Sequence, residues 1–294
     1  MESFIAKAEI LVEAVPYIRT FYGKTFVIKY GGNAMINEEL KKGVMQDIVL
    51  LKFLGVNPVI IHGGGPEITQ MLKRVGKQSQ FVQGLRVTDA ETMEIVQMVL
   101  VGKLNKEIVS RLNLLGGKAV GLSGQDANLI SAQKTVPTMP ADFDGEIPDI
   151  GFVGEVTKIN TTILQELISA GYIPVISSIG VGENGESFNI NADTAAGELA
   201  AALNAEKLIM LTDVEGIFED YSDKSSLISA LKIDHAYQMI NAGKIEGGMI
   251  PKVEACITAL QNGVNRTHII DGRQLHSTLL EILTDKGIGT MVVE

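Results

Sequence analysis

A chain of 294 residues with 46% hydrophobic side chains can bury a large core, which excludes the disordered class and allows one large or two medium domains. A net charge of −10 with scattered basic residues excludes a nucleic-acid surface, and no apolar run approaches the roughly 18 residues of a membrane span. One cysteine, Cys256, leaves no internal disulfide framework, and His62, His235, His268 and His276 lack metal-finger spacing, so a reducing compartment is expected. The N-terminus carries neither a signal-peptide nor a transit-peptide pattern, so the chain is expected to be soluble and to stay where it is made.

Residues 4–15 place Phe4, Ala8, Leu11 and Val15 on one helical face, with Ile5 and Val12 beside them. This amphipathic helix packs either on its own domain or on another subunit. Thr25–Tyr30 then reads as a strand that ends in Lys29 and runs into Gly31-Gly32. A helix follows from about Glu38, with Leu40, Val44, Ile48 and Leu51 facing inward and Gly55 closing it. Val59 to Ile61 is a second buried strand, and it leads through Gly63-Gly64-Gly65 into a helix from Pro66 to Gly76. Two strand–glycine–helix turns, one with a lysine at the strand end, suit a phosphate: bare backbone N–H groups approach closely and the helix start is electropositive. Neither turn matches the common nucleotide fingerprints, and taken singly each could be a tight turn in which glycine gives steric relief.

Thr88-Asp-Ala-Glu91 reads as a capping box opening a helix through Val101, with a further helix to Leu115 and a strand at 119–122. Residues 123–158, with Pro137, Pro140 and Pro148, look like hairpins covering a sheet edge. Asn160 caps the next helix, Gly171 ends it, and Tyr172–Ser177 is a buried strand. An Ala-rich helix from Ala192 to Leu203 precedes the strand Lys207–Leu211 and the turn Thr212–Ile217. The helix Pro251–Gln261 and the strands Thr267–Ile270 and Thr290–Val293 complete the chain. The alternation predicts an α/β protein: a three-layer αβα sandwich around a mostly parallel sheet, in two lobes divided near residue 204, with ligands at the carboxyl ends of the strands.

Four polar clusters fall at strand ends or in loops: Lys29 with its glycines, 84–89 with Arg86, 188–193 with Asn189, Asn191 and Asp193, and 247–252 with Lys252. Arg86 offers a planar fork for a carboxylate, the two lysines can neutralise a phosphoryl group in transfer, and Asp193 could hold both ammonium groups. Singly, Arg86 could be a surface arginine, Lys252 an exposed first-turn lysine and Asp193 a carboxylate favoured by the helix dipole.

Six ordered motifs spanning nearly the whole chain resemble the N-acetyl-L-glutamate kinases of the amino-acid kinase family: those beginning at Val27, Val59, Gly84, Phe188, Leu211 and Gly248. The resemblance implies phosphorylation of the acceptor's side-chain carboxylate by ATP with Mg²⁺, in arginine biosynthesis. It implies that residues 1–204 form the acetylglutamate-binding and dimerisation lobe and residues 205–294 the ATP lobe. Lys29 and Lys252 are then the transition-state lysines, organised by Asp193, with Gly32 and Gly64 donating N–H groups to the phosphoryl group. Gly64, Gly65, Arg86 and Asn189 match the substrate contacts, with Asn191 an open alternative to Asn189. Thr212, Asp213, Val214, Glu215, Gly216 and Ile217, with Lys244, Ile245 and Glu246, match the nucleotide loops. The metal is expected to ride on the phosphates without a protein cage. A carboxylate nucleophile is already ionised at neutral pH, with a pKa of about 4.3, so no general base is required.

The leading helix and the terminal segment are similar to those of arginine-inhibited, cyanobacterial and plastid members. That similarity implies an arginine site at His268, Glu281 and Gly287, a hexamer built as a trimer of dimers, and a PII-type signalling partner, in a bacterial cytoplasm or a plastid stroma. The competing readings are a kinase of the same superfamily acting on another acceptor and a non-catalytic arginine sensor.

Overall fold

Two β-branched runs, Thr25–Tyr30 and Asn57–His62, form neighbouring parallel strands in which every residue after the first is buried. Burial on both faces is what central strands of a parallel sheet require, and it explains why these runs are apolar without alternation. The computed structural model describes residues 2–137, 139, 143–284 and 287–294. Its main sheet has eight strands in the order 230–232, 290–293, 266–271, 207–212, 25–30, 57–62, 173–177 and 119–123. The six from 266–271 to 119–123 are mutually parallel; 290–293 runs antiparallel to 266–271 and parallel to 230–232.

Alternate residues of these strands feed two cores. Ile28, Ile60 and Ile209 join Val44, Ile48 and Leu51 of the helix Glu38–Phe53 and Leu112 of the helix Asn105–Leu114 on one face. Val27, Val59 and Leu208 join Ala195 and Leu199 of the helix Ala192–Ala202 and Cys256 and Leu260 of the helix Ile250–Gln261 on the other. This is the expected helix–sheet–helix sandwich. The two helices of the second face touch closely because Gly197 has no side chain: a Cβ there would lie 2.6 Å from the Ala255 carbonyl. Asn37 caps the helix Glu38–Phe53, accepting from the amides of Glu39 and Leu40 at 2.9 and 3.1 Å.

Several elements differ from expectation. The 88–91 box is not a Thr88 cap; Asp89 caps the helix Ala90–Gln97 by accepting from Thr92 N at 2.8 Å, while the buried Thr88 hydroxyl donates to Arg86 O. That helix does not stop before the next one but runs through a π-helical turn, Met98–Leu104, into Asn105–Leu114. The 123–158 segment does not form hairpins over an edge: Ile130–Lys134 and Val153–Ile159 close with Ile179–Val181 and Ser187–Ile190 into a small four-stranded barrel. Pro140 lies outside the described residues. A short hairpin, Phe81–Val82 with Leu85–Arg86, was not foreseen, nor were the helices Ile233–Asn241 and Ser277–Leu283. The first helix spans Glu2–Glu13 and is followed by Val15–Phe21; Leu11 and Val12 on it are about 70% exposed, so those positions do not pack on their own domain. The side chains of Phe4 and Ala8 lie outside the described set. No described helix is long and apolar enough to cross a membrane.

Candidate active site

The carboxyl ends of the strands 25–30 and 57–62 lie side by side, so their glycine turns share one cleft. Lys29 is buried and its ammonium folds back over Gly31, where a Cβ would lie 2.7 Å from Nζ and would have to push the lysine aside. Gly32 takes φ +68°, a region that disfavours side chains, and faces the Asp213 carboxylate. In the second turn Gly64 precedes the helix Gly65–Arg74, whose first turn carries Pro66, and packs against Leu100 and Leu104 of the π-helical turn. Between the turns begins the helix Ala192–Ala202, where the Asn191 side chain accepts from Asp193 N at 2.8 Å and so aims the first-turn carboxylate.

Lys29, Gly32, Gly63, Gly64, Gly65, Arg86, Asn189, Asn191 and Asp193 line a cleft of about 290 Å³. A second cavity of about 500 Å³ is lined by Thr212, Asp213, Val214, Gly216, Ile217, Lys244, Ile245, Glu246 and Lys252. Glu215 is not on its wall and lies 3.4 Å from Lys224.

Asp193 joins the two spaces. Lys29 Nζ lies 2.8 Å from its Oδ1 as an ion pair without hydrogen-bond alignment, and Lys252 Nζ donates to its Oδ2 at 2.7 Å. Burial alone would push the Asp193 carboxyl up, but the two ammonium groups outweigh it and hold the group below its ordinary range. Two positive charges, one from each cavity, are thereby fixed at the junction around a single negative one. A phosphoryl group arriving there meets an excess of positive charge already ordered, with little reorganisation left to do.

Arg86 is anchored to the rim of the same turn. One terminal nitrogen donates to Ser79 Oγ, the other to Gly65 O at 3.0 Å and Thr69 Oγ1 at 2.9 Å, and the guanidinium lies 4.7 Å from the Phe81 ring centroid. Asn189 donates to Thr88 Oγ1 at 3.3 Å. The two asparagines therefore differ: the Asn191 oxygen is used as a helix cap, and the Asn189 amide stands against the wall that Arg86 and Thr88 build. Sequence reasoning missed His62, whose ring supports the glycine turn from behind; its place directly before three glycines was the available signal.

His268, Glu281 and Gly287 meet in a separate cavity of about 370 Å³ shared with Tyr17, Phe21 and Lys207. Lys207 Nζ lies 2.9 Å from His268 Nε2, and His268 Nδ1 lies 2.7 Å from Glu281 Oε1, while Glu281 Oε2 accepts from Ile288 N and Gly289 N. Burial lowers Lys207 to about 8. Burial works against the Glu281 charge, but His268 and the two amides outweigh it and hold the carboxyl low.

The sheet topology, the paired glycine turns and the shared carboxylate fit the amino acid kinase family, whose profile matches residues 24–271; the chain belongs to that family. It is 61% identical over 289 residues to an acetylglutamate kinase of Moorella thermoacetica, covering 98% of each chain. It is 62% identical to an acetylglutamate kinase of Desulforamulus reducens, covering 100% of this chain and 99% of the relative. Among solved structures it is similar to N-acetylglutamate synthase from Neisseria gonorrhoeae complexed with coenzyme A and N-acetyl-glutamate, with a TM-score of 0.84 at 28% identity; the match covers 98% of this chain and spans 63% of that one. Carbamate kinase from Giardia lamblia bound to AMP-PNP shares the fold, with a TM-score of 0.66 at 17% identity over 92% of this chain and 98% of that one.

Proposed function

We propose that this chain transfers the γ-phosphoryl group of ATP to the side-chain carboxylate of N-acetyl-L-glutamate, forming N-acetyl-L-glutamyl 5-phosphate and ADP, the second step of arginine biosynthesis. The observation that carries the reading is Asp193 holding Lys29 from one cavity and Lys252 from the other. The acceptor lies in the smaller cleft with its α-carboxylate on Arg86 and its acetamido group near Asn189. Its side-chain oxygen forms a bond to the γ-phosphorus as the bond to the ADP oxygen breaks; no proton moves, so no base is needed. Lys29 and Lys252 meet the spreading negative charge, and the N–H groups of Gly32 and Gly64 donate to the equatorial oxygens. Thr212–Ile217 and Lys244–Glu246 cradle the nucleotide, and residues 1–204 and 205–294 form the acceptor and nucleotide lobes. Asp213 and Glu246 on the cavity wall suit a Mg²⁺ ion that arrives on the phosphates, where it would neutralise their charge.

The cavity at His268, Glu281 and Gly287 is the proposed arginine site, with the Glu281 carboxylate as partner of the guanidinium. The exposed Leu11 and Val12 support helix exchange between dimers in a hexamer. The bacterial sources of the relatives favour a bacterial cytoplasm over a plastid stroma, and a PII-type partner is tested by co-purification.

ADP release is measured with N-acetylglutamate, glutamate, aspartate, carbamate or UMP, each with and without arginine. Turnover with N-acetylglutamate alone, suppressed by arginine, is expected. Turnover with another acceptor overturns the Arg86 reading, and arginine binding without any turnover would make the chain a sensor. Removing residues 1–20 is expected to give dimers with weaker arginine inhibition; an unchanged hexamer on sizing refutes the exchange.

A further inference from the structure

Behind the glycine turn lies a wholly buried polar chain that neither the substrate contacts nor the charges use. His62 Nδ1 lies 2.9 Å from the Gly63 carbonyl oxygen, and its Nε2 lies 3.3 Å from Asn105 Nδ2. Asn105 is the first residue after the π-helical turn Met98–Leu104, and it too is fully buried. Its amide orientation is set by its surroundings: Nδ2 lies 2.9 Å from Val175 O and 3.2 Å from Leu122 O, two carbonyls that can only accept, and Lys106 Nζ donates to Oδ1 at 3.1 Å. The two N–H hydrogens face three acceptors, so one is shared between Leu122 O and His62 Nε2; since the NH₂ group has no lone pair to offer, Nε2 accepts, which leaves the ring proton on Nδ1, where it donates to Gly63 O. The opposite tautomer would set two donors face to face at one nitrogen and a lone pair against a carbonyl at the other.

In a trans peptide the carbonyl and the following N–H point in opposite directions. A Gly63 carbonyl pinned to a buried ring therefore turns the Gly64 N–H outward, toward the cleft that Gly63, Gly64 and Gly65 line. Glycine at both positions leaves this peptide free to rotate, so something else must hold it. The π-helical turn supplies that support twice over: Leu100 and Leu104 close on Gly64, and the register shift places Asn105 beneath His62.

We propose, resting on the phosphotransfer reading above, that His62 is a positioning residue, held in its Nδ1–H tautomer by Asn105, which fixes the Gly63–Gly64 peptide so that the Gly64 N–H meets the phosphoryl group in transfer. Burial lowers the His62 pKa to about 4, so the ring carries one proton at neutral pH and its tautomer is a defined state. His62 touches neither substrate nor nucleotide in this account; it acts through the glycine peptide.

The tests compare substitutions by which ring nitrogen they replace. His62→Asn keeps a donor near the Nδ1 position, His62→Gln keeps one near Nε2, and His62→Phe keeps only the shape. Displacing a transition-state donor costs about 10²- to 10³-fold in kcat, and a donor left mobile rather than removed costs less, about 10- to 100-fold. That loss in kcat, with KM for either substrate within about threefold, is expected for His62→Phe and His62→Gln, while His62→Asn recovers most of the rate. Asn105→Asp replaces the donor by an acceptor and draws the ring proton to Nε2. Its kcat is then expected to be highest at low pH, where the imidazolium donates from both nitrogens, and to fall as pH rises through the His62 pKa, a limb the parent enzyme lacks. Equal rates for His62→Asn and His62→Gln, or a His62→Phe enzyme within threefold of the parent, overturn the proposal. ¹⁵N NMR of the four histidines in the unsubstituted chain gives a result independent of activity: a His62 proton on Nδ1 supports the assignment and a proton on Nε2 refutes it, whichever acceptor the enzyme uses and whether or not a variant folds.

Discussion

Replacing Asp193 with Asn removes the one negative charge that Lys29 and Lys252 share and keeps its shape. Both ammonium groups sit within 2.8 Å of that carboxylate, and two like charges at about 5 Å in an effective dielectric of about 20 repel by about 3 kcal/mol. That repulsion is borne in the empty enzyme and relieved by the phosphates of a bound nucleotide. The ligand-free variant is therefore expected to melt about 5–10 °C lower and to regain much of that with ATP and Mg²⁺. The lysines also lose their fixed positions, so kcat should fall by about 10²-fold or more, while KM for N-acetylglutamate changes little because Arg86 is untouched. The depressed Asp193 pKa has a linked consequence. Its contribution to stability is present above the ordinary value of 3.8 and is lost as pH falls through the lower folded value, so the variant should lack that acid limb. Scanning calorimetry with and without nucleotide, followed by steady-state ADP release, checks each part. A variant that melts with the parent and turns over within threefold of it would refute the idea that one carboxylate orders both cations.

Asp47 is 1% exposed and lies 2.6 Å from His276; burial raises its pKa from 3.8 to about 6 despite that partner. A folded pKa raised this way means stability falls as pH rises between about 4 and 6, by about 3 kcal/mol. Asp47→Asn should flatten that slope and raise Tm at pH 7–8, and an unchanged slope refutes the assignment. Arg86→Lys gives up the planar fork and the bonds to Gly65 and Thr69, so KM for N-acetylglutamate should rise about 10- to 100-fold with KM for ATP unchanged; equal effects on both would contradict the placement. Gly64→Ala drives a methyl into Leu104 and to 2.7 Å from the nearest Leu100 carbon, and should cost about 1–3 kcal/mol of stability together with a loss of kcat; a fully active, equally stable variant would show that the turn has room.

The main sheet was legible because its central strands are β-branched runs closed by glycine, and a residue buried on both faces must be apolar wherever the chain goes afterwards. Lys29, Arg86, Asp193 and Lys252 were legible as candidates because each charged group ends a strand or opens a helix, with glycines next to Lys29 and near Arg86 and Lys252. The small barrel was not: Ile179–Val181 and Ser187–Ile190 are too short to show a period of two and form only through pairing with distant strands. The π-helical turn was read as a break between two helices, because a shift from four- to five-residue hydrogen bonding leaves no composition signal. The different use of Asn189 and Asn191 also needed coordinates, since only Asn191 gives its amide oxygen to the helix start. His62 stands directly before three glycines, but its support of the turn needed coordinates, because its second partner, Asn105, is 43 residues away in the chain.

The strand 25–30 comes first in the chain yet sits in the middle of the main sheet, between 57–62 and 207–212. The whole join between residues 1–204 and 205–294 in that sheet is the pairing of Phe26 to Lys29 with Lys207 to Met210, reinforced where Glu206 N donates to Thr25 O at 2.8 Å. Residues 1–204 and 205–294 share one continuous sheet, so neither segment is expected to fold alone. A fragment ending near 204 would present a long unpaired apolar edge, the kind of surface that recruits foreign strands. The same edge makes this seam a natural split point: Lys29 and Asp193 stay in one fragment, and the sheet must zip before Lys252 can reach Asp193, so restored turnover would report sheet closure itself.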